Sequence, residues 1–244
     1  LLQTTTIHRR QVAVNKQTLV VLTGAGISAE SGLGTFRGSG GLWENYSIAE
    51  VASLEGWHKN PGLVLEFYNA RRKAAAAALP NPGHEGLAAM EEFFRVRIIT
   101  QNVDTLHEKA GSSEVLHLHG RLDKKRSAAD ARFISNWTED IHLGDLAPDG
   151  SQWRPHIVWF GEEVPAIREA MNWLSEADYF AVIGTSLQVY PAAGLIHDVP
   201  FHAPCFLVDP QDIKTDMGTR RFKHIKEPAS TGVFSLSEQL KALM

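Results

Sequence analysis

A chain of 244 residues with formal charge −4, 43% hydrophobic and 21% charged, has the composition of an ordinary globular protein. It lacks the positive charge that nucleic-acid binding demands, and no apolar run approaches the roughly 20 residues of a membrane span. A single cysteine, Cys205, excludes an intrachain disulfide. A cytoplasmic location is expected, because the first residues lack the charge-before-apolar order of a signal peptide. Short basic clusters at His8-Arg9-Arg10, Arg71-Arg72-Lys73, Lys124-Lys125-Arg126 and Arg220-Arg221 read as solvated faces.

Residues 19–23 form a short, β-branched apolar run, predicted to be a strand buried on both faces. It leads into Gly24-Ala25-Gly26-Ile27-Ser28-Ala29, a G-x-G-x-x-A turn of the kind that brings backbone N–H groups against a pyrophosphate. A dehydrogenase would continue through a helix to a second strand ending in Asp or Glu. Here Gly32-Leu33-Gly34-Thr35-Phe36-Arg37-Gly38 reads as a loop over a ligand. The next stretch, 38–79, looks mostly helical. Its clearest helix opens at Asn60-Pro61 and runs through Leu63, Phe67 and the alanines of 74–78 until Pro80 stops it. Tyr68 and Arg71 share a face of that helix and, taken alone, are a surface pair. A helix over 85–94 and strands over 96–100 and 115–118 follow. Residues 121–154 are polar and aperiodic. Then come a strand over 156–160, a helix over 165–177, and strands Tyr179–Ile183 and Cys205–Val208. A last helix, 236–243, starts from a capping box of Ser235 and Glu238.

This alternation predicts an α/β fold: a Rossmann-like, doubly wound, mainly parallel sheet with a smaller inserted lobe. The sheet domain comprises 1–37, 80–120 and 155–244. The lobe comprises a helical part, 38–79, and an insert, 121–154.

In open α/β sheets ligands bind beyond the carboxyl ends of the strands. The strand 96–100 ends in Gln101-Asn102-Val103-Asp104. Helix capping accounts for one of the three polar side chains and leaves the others for a ligand. His117 reads as a packed strand histidine. His119, at the strand exit beside Gly120, is the candidate general base near neutral pH. Gly184-Thr185-Ser186 is a small-residue turn suited to a phosphate or ribose.

Six motifs in one order carry a resemblance: Gly24-Ala25-Gly26-Ile27-Ser28, Thr35-Phe36-Arg37, Gln101-Asn102-Val103-Asp104, His119-Gly120, Val158-Trp159-Phe160-Gly161-Glu162 and Gly184-Thr185-Ser186. The sequence resembles the sirtuin family of NAD-dependent protein-lysine deacylases, over about 19–230. Within the family it looks most like the bacterial class III branch of desuccinylases and deacetylases.

The resemblance implies NAD as cofactor and acyl-lysine proteins or peptides as partners, with no nucleic acid and no membrane. It implies that Gly24, Ala25, Gly26 and Ser28 line the pyrophosphate, with Arg37 above it and Phe36 shielding the reacting ribose. Gln101 and Asn102 would orient the nicotinamide-side ribose, and Asp104 would hold the nicotinamide carboxamide. The acyl oxygen attacks C1′ as nicotinamide leaves, and a ribose hydroxyl activated by His119 captures the product of that attack. Free lysine, nicotinamide and O-acyl-ADP-ribose result. Gly184, Thr185, Ser186 and Val189 would lie on the adenosine side, with Asp209 at the ribose where the family commonly has Asn. Ala229, in 228–230, would lie near the adenine. The peptide would add as a strand, with Val158 at its backbone and Phe160 flanking the acyl-lysine channel. Tyr68-x-x-Arg71 implies recognition of a carboxylate on the acyl group, succinyl or malonyl, with acetyl also accepted.

The family's two C-x-x-C zinc pairs are missing, and one histidine among scattered carboxylates is a poor zinc set. No metal is expected, and the insert would be held by packing of Phe133, Ile134, Trp137, Leu143 and Trp153. Other readings are an NAD hydrolase or ADP-ribosyltransferase on the same fold, a non-catalytic NAD or ADP-ribose binding module, and a dehydrogenase. The acyl-lysine motif 158–162 opposes the first, the His119–Asn102 pair the second, and the missing second strand the third.

Overall fold

The computed structural model describes residues 16–34, 42–43, 46–213 and 222–244. Phe36 and Arg37 lie outside the described residues, as do His8-Arg9-Arg10 and Arg220-Arg221.

The chain begins with β1 (Thr18–Thr23) and α1 (Ala25–Ala29). A hairpin of β2 (Leu42–Trp43) and β3 (Tyr46–Ser47) precedes α2 (Ile48–Val51), α3 (Leu54–Lys59), α4 (Pro61–Ala77) and α5 (Pro82–Ala89). Next come β4 (Arg95–Thr100), α6 (Leu106–Lys109), β5 (Val115–His117), β6 (Gly120–Ser127), β7 (Ile134–Asn136) and β8 (Trp153–Ile157). The rest is α7 (Ile167–Ser175), β9 (Tyr179–Ile183), β10 (Cys205–Val208), β11 (Phe222–Ile225) and α8 (Ala229–Lys241).

Among the described residues six strands form one sheet in the order β11-β10-β9-β1-β4-β5, every pair parallel. Ranked along the chain and read from β5, this is 3-2-1-4-5-6, the doubly wound order whose crevice opens beside the first strand. β1 is buried throughout, and its alternating side chains divide between two cores. Leu19 and Val21 pack with Leu87, Val233 and Leu236 beneath α5 and α8, whereas Val20 and Leu22 pack with Ala170 and Leu174 of α7. That is why β1 reads as a continuous apolar run.

A third core joins α3 and α4 to an antiparallel sheet of order β7-β6-β8, through Trp57, Val64, Phe67, Tyr68, Leu122, Trp137, Ile141 and Trp159. Asn60 caps α4 by accepting the Leu63 N–H at 3.1 Å, with Pro61 at the first helical position. Asn69 on α4 both donates to the Ile141 carbonyl and accepts its N–H, each at 3.0 Å. Asp140 accepts from Arg72 and Lys73 at 2.8 and 2.7 Å.

Several expectations need correction. The run 156–160 is no strand of the main sheet: β8 ends at Ile157 and pairs antiparallel with β6. The sixth parallel strand is β11, Phe-Lys-His-Ile, whose polar alternation suits a sheet edge and gives no buried-strand signal. The insert is not aperiodic loop but carries β6, a partly buried strand, and β7, an exposed one. Its packing rests on Trp137 and Ile141, while Ile134 and Leu143 are exposed. The last helix begins seven residues before its expected start, at Ala229, and Ser235 lies inside it, donating to Glu227 at 2.9 Å. Gly232 disguises this helix, since a side chain there would collide with Val208. Nor are all basic clusters solvated faces: Arg71 is buried, and Arg126 pairs with Glu162 at 2.9 Å.

Candidate functional site

A cleft of about 620 Å³ lies across the carboxyl ends of the sheet strands and the neighbouring face of the small lobe. That volume is ordinary for a small-molecule or cofactor site, roughly 300–1,000 Å³. Gly24, Ala25, Gly26 and Ser28 line it beyond β1, and Gly184, Thr185 and Ser186 beyond β9. Gln101, Asn102 and Asp104 line it beyond β4, His119 beyond β5, and Asp209 beyond β10. Tyr68, Arg71, Val158 and Phe160 line the side made by the lobe. Ala229 does not line the cleft; it is buried at the start of α8.

The glycines of the first turn serve a purpose the sequence reading missed. The Gly24 N–H donates to the Ile183 carbonyl at 3.1 Å, and the Gly26 N–H to the Gly184 carbonyl at 2.8 Å. A Cβ on Gly24 would sit 2.5 Å from the Thr185 Cβ, and one on Gly26 would sit 2.7 Å from the Gly184 Cα. These glycines let the turn after β1 nest against the turn after β9; their own amides are committed to the protein.

A directed hydrogen-bond chain underlies the floor. The Asn81 N–H donates to His84 Nδ1 at 3.3 Å, so the proton of the neutral ring sits on Nε2, 3.4 Å from Ser28 Oγ. Asn102 Nδ2 donates to Ser28 Oγ at 3.0 Å and to the Gly24 carbonyl at 3.1 Å. Ser28 donates onward to Asp104 Oδ2 at 3.1 Å, while Asp104 Oδ1 accepts the Leu106 N–H at 3.0 Å. Asp104 is therefore both a helix-start acceptor and a cleft carboxylate. Burial pushes His84 down to about 4, against the pull of Asp104, so its neutral form persists. His84 was not foreseen; its only sequence signal is its place in Asn-Pro-Gly-His, where it completes the capping box of α5.

His119 Nδ1 lies 3.1 Å from the Gln101 carbonyl, which can only accept. The Nδ1–H therefore donates, and the basic lone pair is on Nε2. Burial lowers its pKa against the opposing pull of that backbone bond, so the ring is neutral at physiological pH. His117, in contrast, is tied at both nitrogens, to the Asn102 carbonyl at 3.0 Å and to Glu108 at 2.8 Å. It is a packed strand residue. Gln101 Nε2 donates to Thr185 Oγ1 at 3.0 Å, linking the β4 and β9 ends across β1. Asp209 turns on itself by accepting the Gln211 N–H at 2.8 Å, and burial raises its pKa.

Residues 158–160 bridge the two lobes. The Val158 N–H donates to the His119 carbonyl and the Phe160 N–H to the Ala52 carbonyl, both at 2.9 Å. The Trp159 N–H donates to Glu162 at 2.9 Å. These three amides are committed to the protein, and the Trp159 and Phe160 carbonyls also accept, from the Glu162 and Leu54 N–H groups at 3.0 and 3.1 Å. Tyr68 is fully buried at its rim and accepts from the Trp159 indole N–H at 3.1 Å. Burial raises the Tyr68 pKa, so it offers a ligand a neutral hydroxyl beside the Arg71 guanidinium. Burial pushes the Glu162 carboxyl up, but its bonds from Arg154 outweigh this and hold it below the usual range.

The model of the Sir2 family matches residues 24–191, more than half of the chain and nearly all the cleft-lining turns. The chain belongs to the Sir2 family. This Sir2-family chain is 51% identical over 233 residues to an NAD-dependent protein deacylase of Bacteroides thetaiotaomicron, covering 93% of this chain and 97% of that one. It is 54% identical over 193 residues to an NAD-dependent protein deacylase of Helicobacter pylori, covering 79% and 82%. Among solved structures, a Sir2 homologue in complex with NAD superposes with TM-score 0.81 at 34% identity, covering 93% of this chain and 91% of that one. A Sir2 protein with a p53 peptide and NAD+ superposes with TM-score 0.74 at 28% identity, covering 93% and 95%.

The residues present suit a dinucleotide. The doubly wound order puts the crevice beside β1, and the cleft carries acceptor carboxylates at Asp209, beyond β10, and at Asp104, beyond β4, a chemistry that suits hydroxyl and amide donors. Among the described residues no group of three or more His, Cys, Asp or Glu side chains is arranged to hold a metal ion. No described helix is long and apolar enough to cross a membrane.

Proposed function

We propose that this chain removes acyl groups from protein lysines in an NAD-dependent reaction, with a pocket that favours acyl chains ending in a carboxylate, succinyl or malonyl, and also admits acetyl. NAD-dependent protein deacylation is the activity for which its Sir2-family relatives are named, and it is the activity of this chain. The finer preference is supported by one observation: Tyr68 and Arg71, a buried hydroxyl and a buried guanidinium, line the same cleft as His119. A guanidinium there is matched to a carboxylate and has nothing to gain from an acetyl methyl.

When bound, NAD supplies an electrophilic ribose carbon with nicotinamide as its leaving group. Gln101 and Asn102 hold the adjoining ribose. Asp104 accepts from the nicotinamide amide while Ser28 fixes the carboxylate. His119 Nε2 takes the proton of a ribose hydroxyl, having no proton of its own on that nitrogen. Val158 meets the peptide backbone, Phe160 flanks the lysine side chain, and Thr185, Ser186 and Asp209 hold the adenosine half. Phe36 and Arg37, which lie outside the described residues, are assigned to the dinucleotide by the family resemblance alone. The reaction takes place in the cytoplasm on acyl-lysine proteins.

Incubation with NAD and acetyl-, succinyl- or malonyl-lysine peptides, with all products weighed by mass spectrometry, tests the whole reading. Peptide-dependent release of nicotinamide and an O-acyl-ADP-ribose is expected. ADP-ribose released without regard to peptide would replace the deacylase with a hydrolase. Arg71→Met is expected to lower desuccinylation at least tenfold more than deacetylation, the scale set by loss of a charge-assisted bond. Equal losses would remove the carboxylate preference.

A further inference from the structure

Arg154 is 3% exposed, and no step above uses it. From β8 its guanidinium carbon lies 3.4 Å from the centroid of the Trp159 ring. Its two terminal nitrogens donate to Glu162 at 2.8 and 2.9 Å, and one of them also to the Ile157 carbonyl at 3.0 Å. Glu162 accepts in addition from Arg126 at 2.9 Å and from the Trp159 backbone N–H at 2.9 Å. One ion pair thus grips Trp159 twice, over the face of its ring and at its amide. The far edge of that ring carries the indole N–H that donates to Tyr68 at 3.1 Å.

We propose that Arg154 and Glu162 are positioning residues for acyl selection: they fix the Trp159 ring so that its indole N–H holds the Tyr68 hydroxyl in place at the acyl end of the cleft. The inference rests on the reading of Tyr68 and Arg71 as the carboxylate-recognising pair. It explains why a flat cation is needed on β8. A buried ammonium would satisfy Glu162 but could not lie over the indole while forking to the carboxylate. It also explains a tryptophan between Val158 and Phe160, because phenylalanine would fill that space without a donor.

The experiment measures kcat/KM for succinyl- and acetyl-lysine peptides, with NAD, in Trp159→Phe, Arg154→Lys and Arg71→Met. Trp159→Phe keeps an aromatic plane and removes the N–H; Arg154→Lys keeps the charge and removes the flat stack. The succinyl-to-acetyl ratio is expected to fall about fivefold in both, the effect of one hydrogen bond to the selecting hydroxyl, and to do so through KM for the succinyl peptide. A purely structural role would depress both activities and leave the ratio alone. Should Arg154→Lys not fold, Trp159→Phe decides. An unchanged ratio in Trp159→Phe beside a selective loss in Arg71→Met overturns the proposal and leaves the reading of the pair intact. Equal losses in Arg71→Met overturn both.

Discussion

His119 can act as a base because of one backbone contact. The Gln101 carbonyl claims its Nδ1–H and leaves Nε2 unprotonated. The substitution His119→Ala should leave the fold intact, as circular dichroism can check, and lower deacylation by about 10²–10⁴-fold, the usual worth of a general base. Burial lowers the pKa of this ring, so its neutral form survives below the ordinary histidine value. The acid limb of kcat/KM against pH should accordingly fall below about 6.5. A limb at or above that value would mean that another group carries the proton. The sequence pointed to His119 through its place at a strand exit, and to His117 as packing. It gave no sign of the Asn81–His84–Ser28–Asp104 chain, because its members come from three separate segments, the start of α5, α1 and the turn after β4.

At the scale of elements, the small lobe shows how an insert without cysteines keeps its shape. Asn69 binds both backbone groups of Ile141, Asp140 ties Arg72 and Lys73, and Glu162 joins Arg126 to Arg154. These bonds couple α4 to the loop after β7, and β6 to β8. Asn69→Ala removes two bonds at once and leaves the buried Ile141 N–H and carbonyl unpaired. It should cost about 2–3 kcal/mol, read as a fall in urea midpoint at constant slope. A strong chelator, by contrast, should leave the melting temperature unchanged. A large drop with chelator would mean that a metal does hold the lobe. The strands β6 and β7 escaped the sequence reading because β6 is charged and only partly buried and β7 is three residues long and exposed, with no face apolar enough to announce itself.

Across the whole molecule, buried histidines make stability depend on pH. Burial lowers His84 to about 4, and burial with the nearby Arg126 and Arg154 cations lowers His156 to about 4. His107 is lowered well below its ordinary value, first by burial and then by the neighbouring histidines. In each case the unfolded chain binds a proton that the folded chain refuses. The stability they give is complete above about pH 6.5 and is lost as pH falls toward 4, at roughly 1.4 kcal/mol per histidine per pH unit. Urea unfolding at pH 7, 6 and 5 should show this; equal stability at all three would refute it. Local pattern alone determined the parallel sheet, the helix from Pro61, the turns at the strand ends and the histidine beside Gly120, because each is written in neighbouring residues through period, capping or strand exit. Only the tertiary structure decided the nested glycine turns, the edge strand β11, the early start of α8 and the Arg154–Trp159–Tyr68 contact. These depend on which distant surfaces meet, and the spacing of residues along a chain carries no record of that.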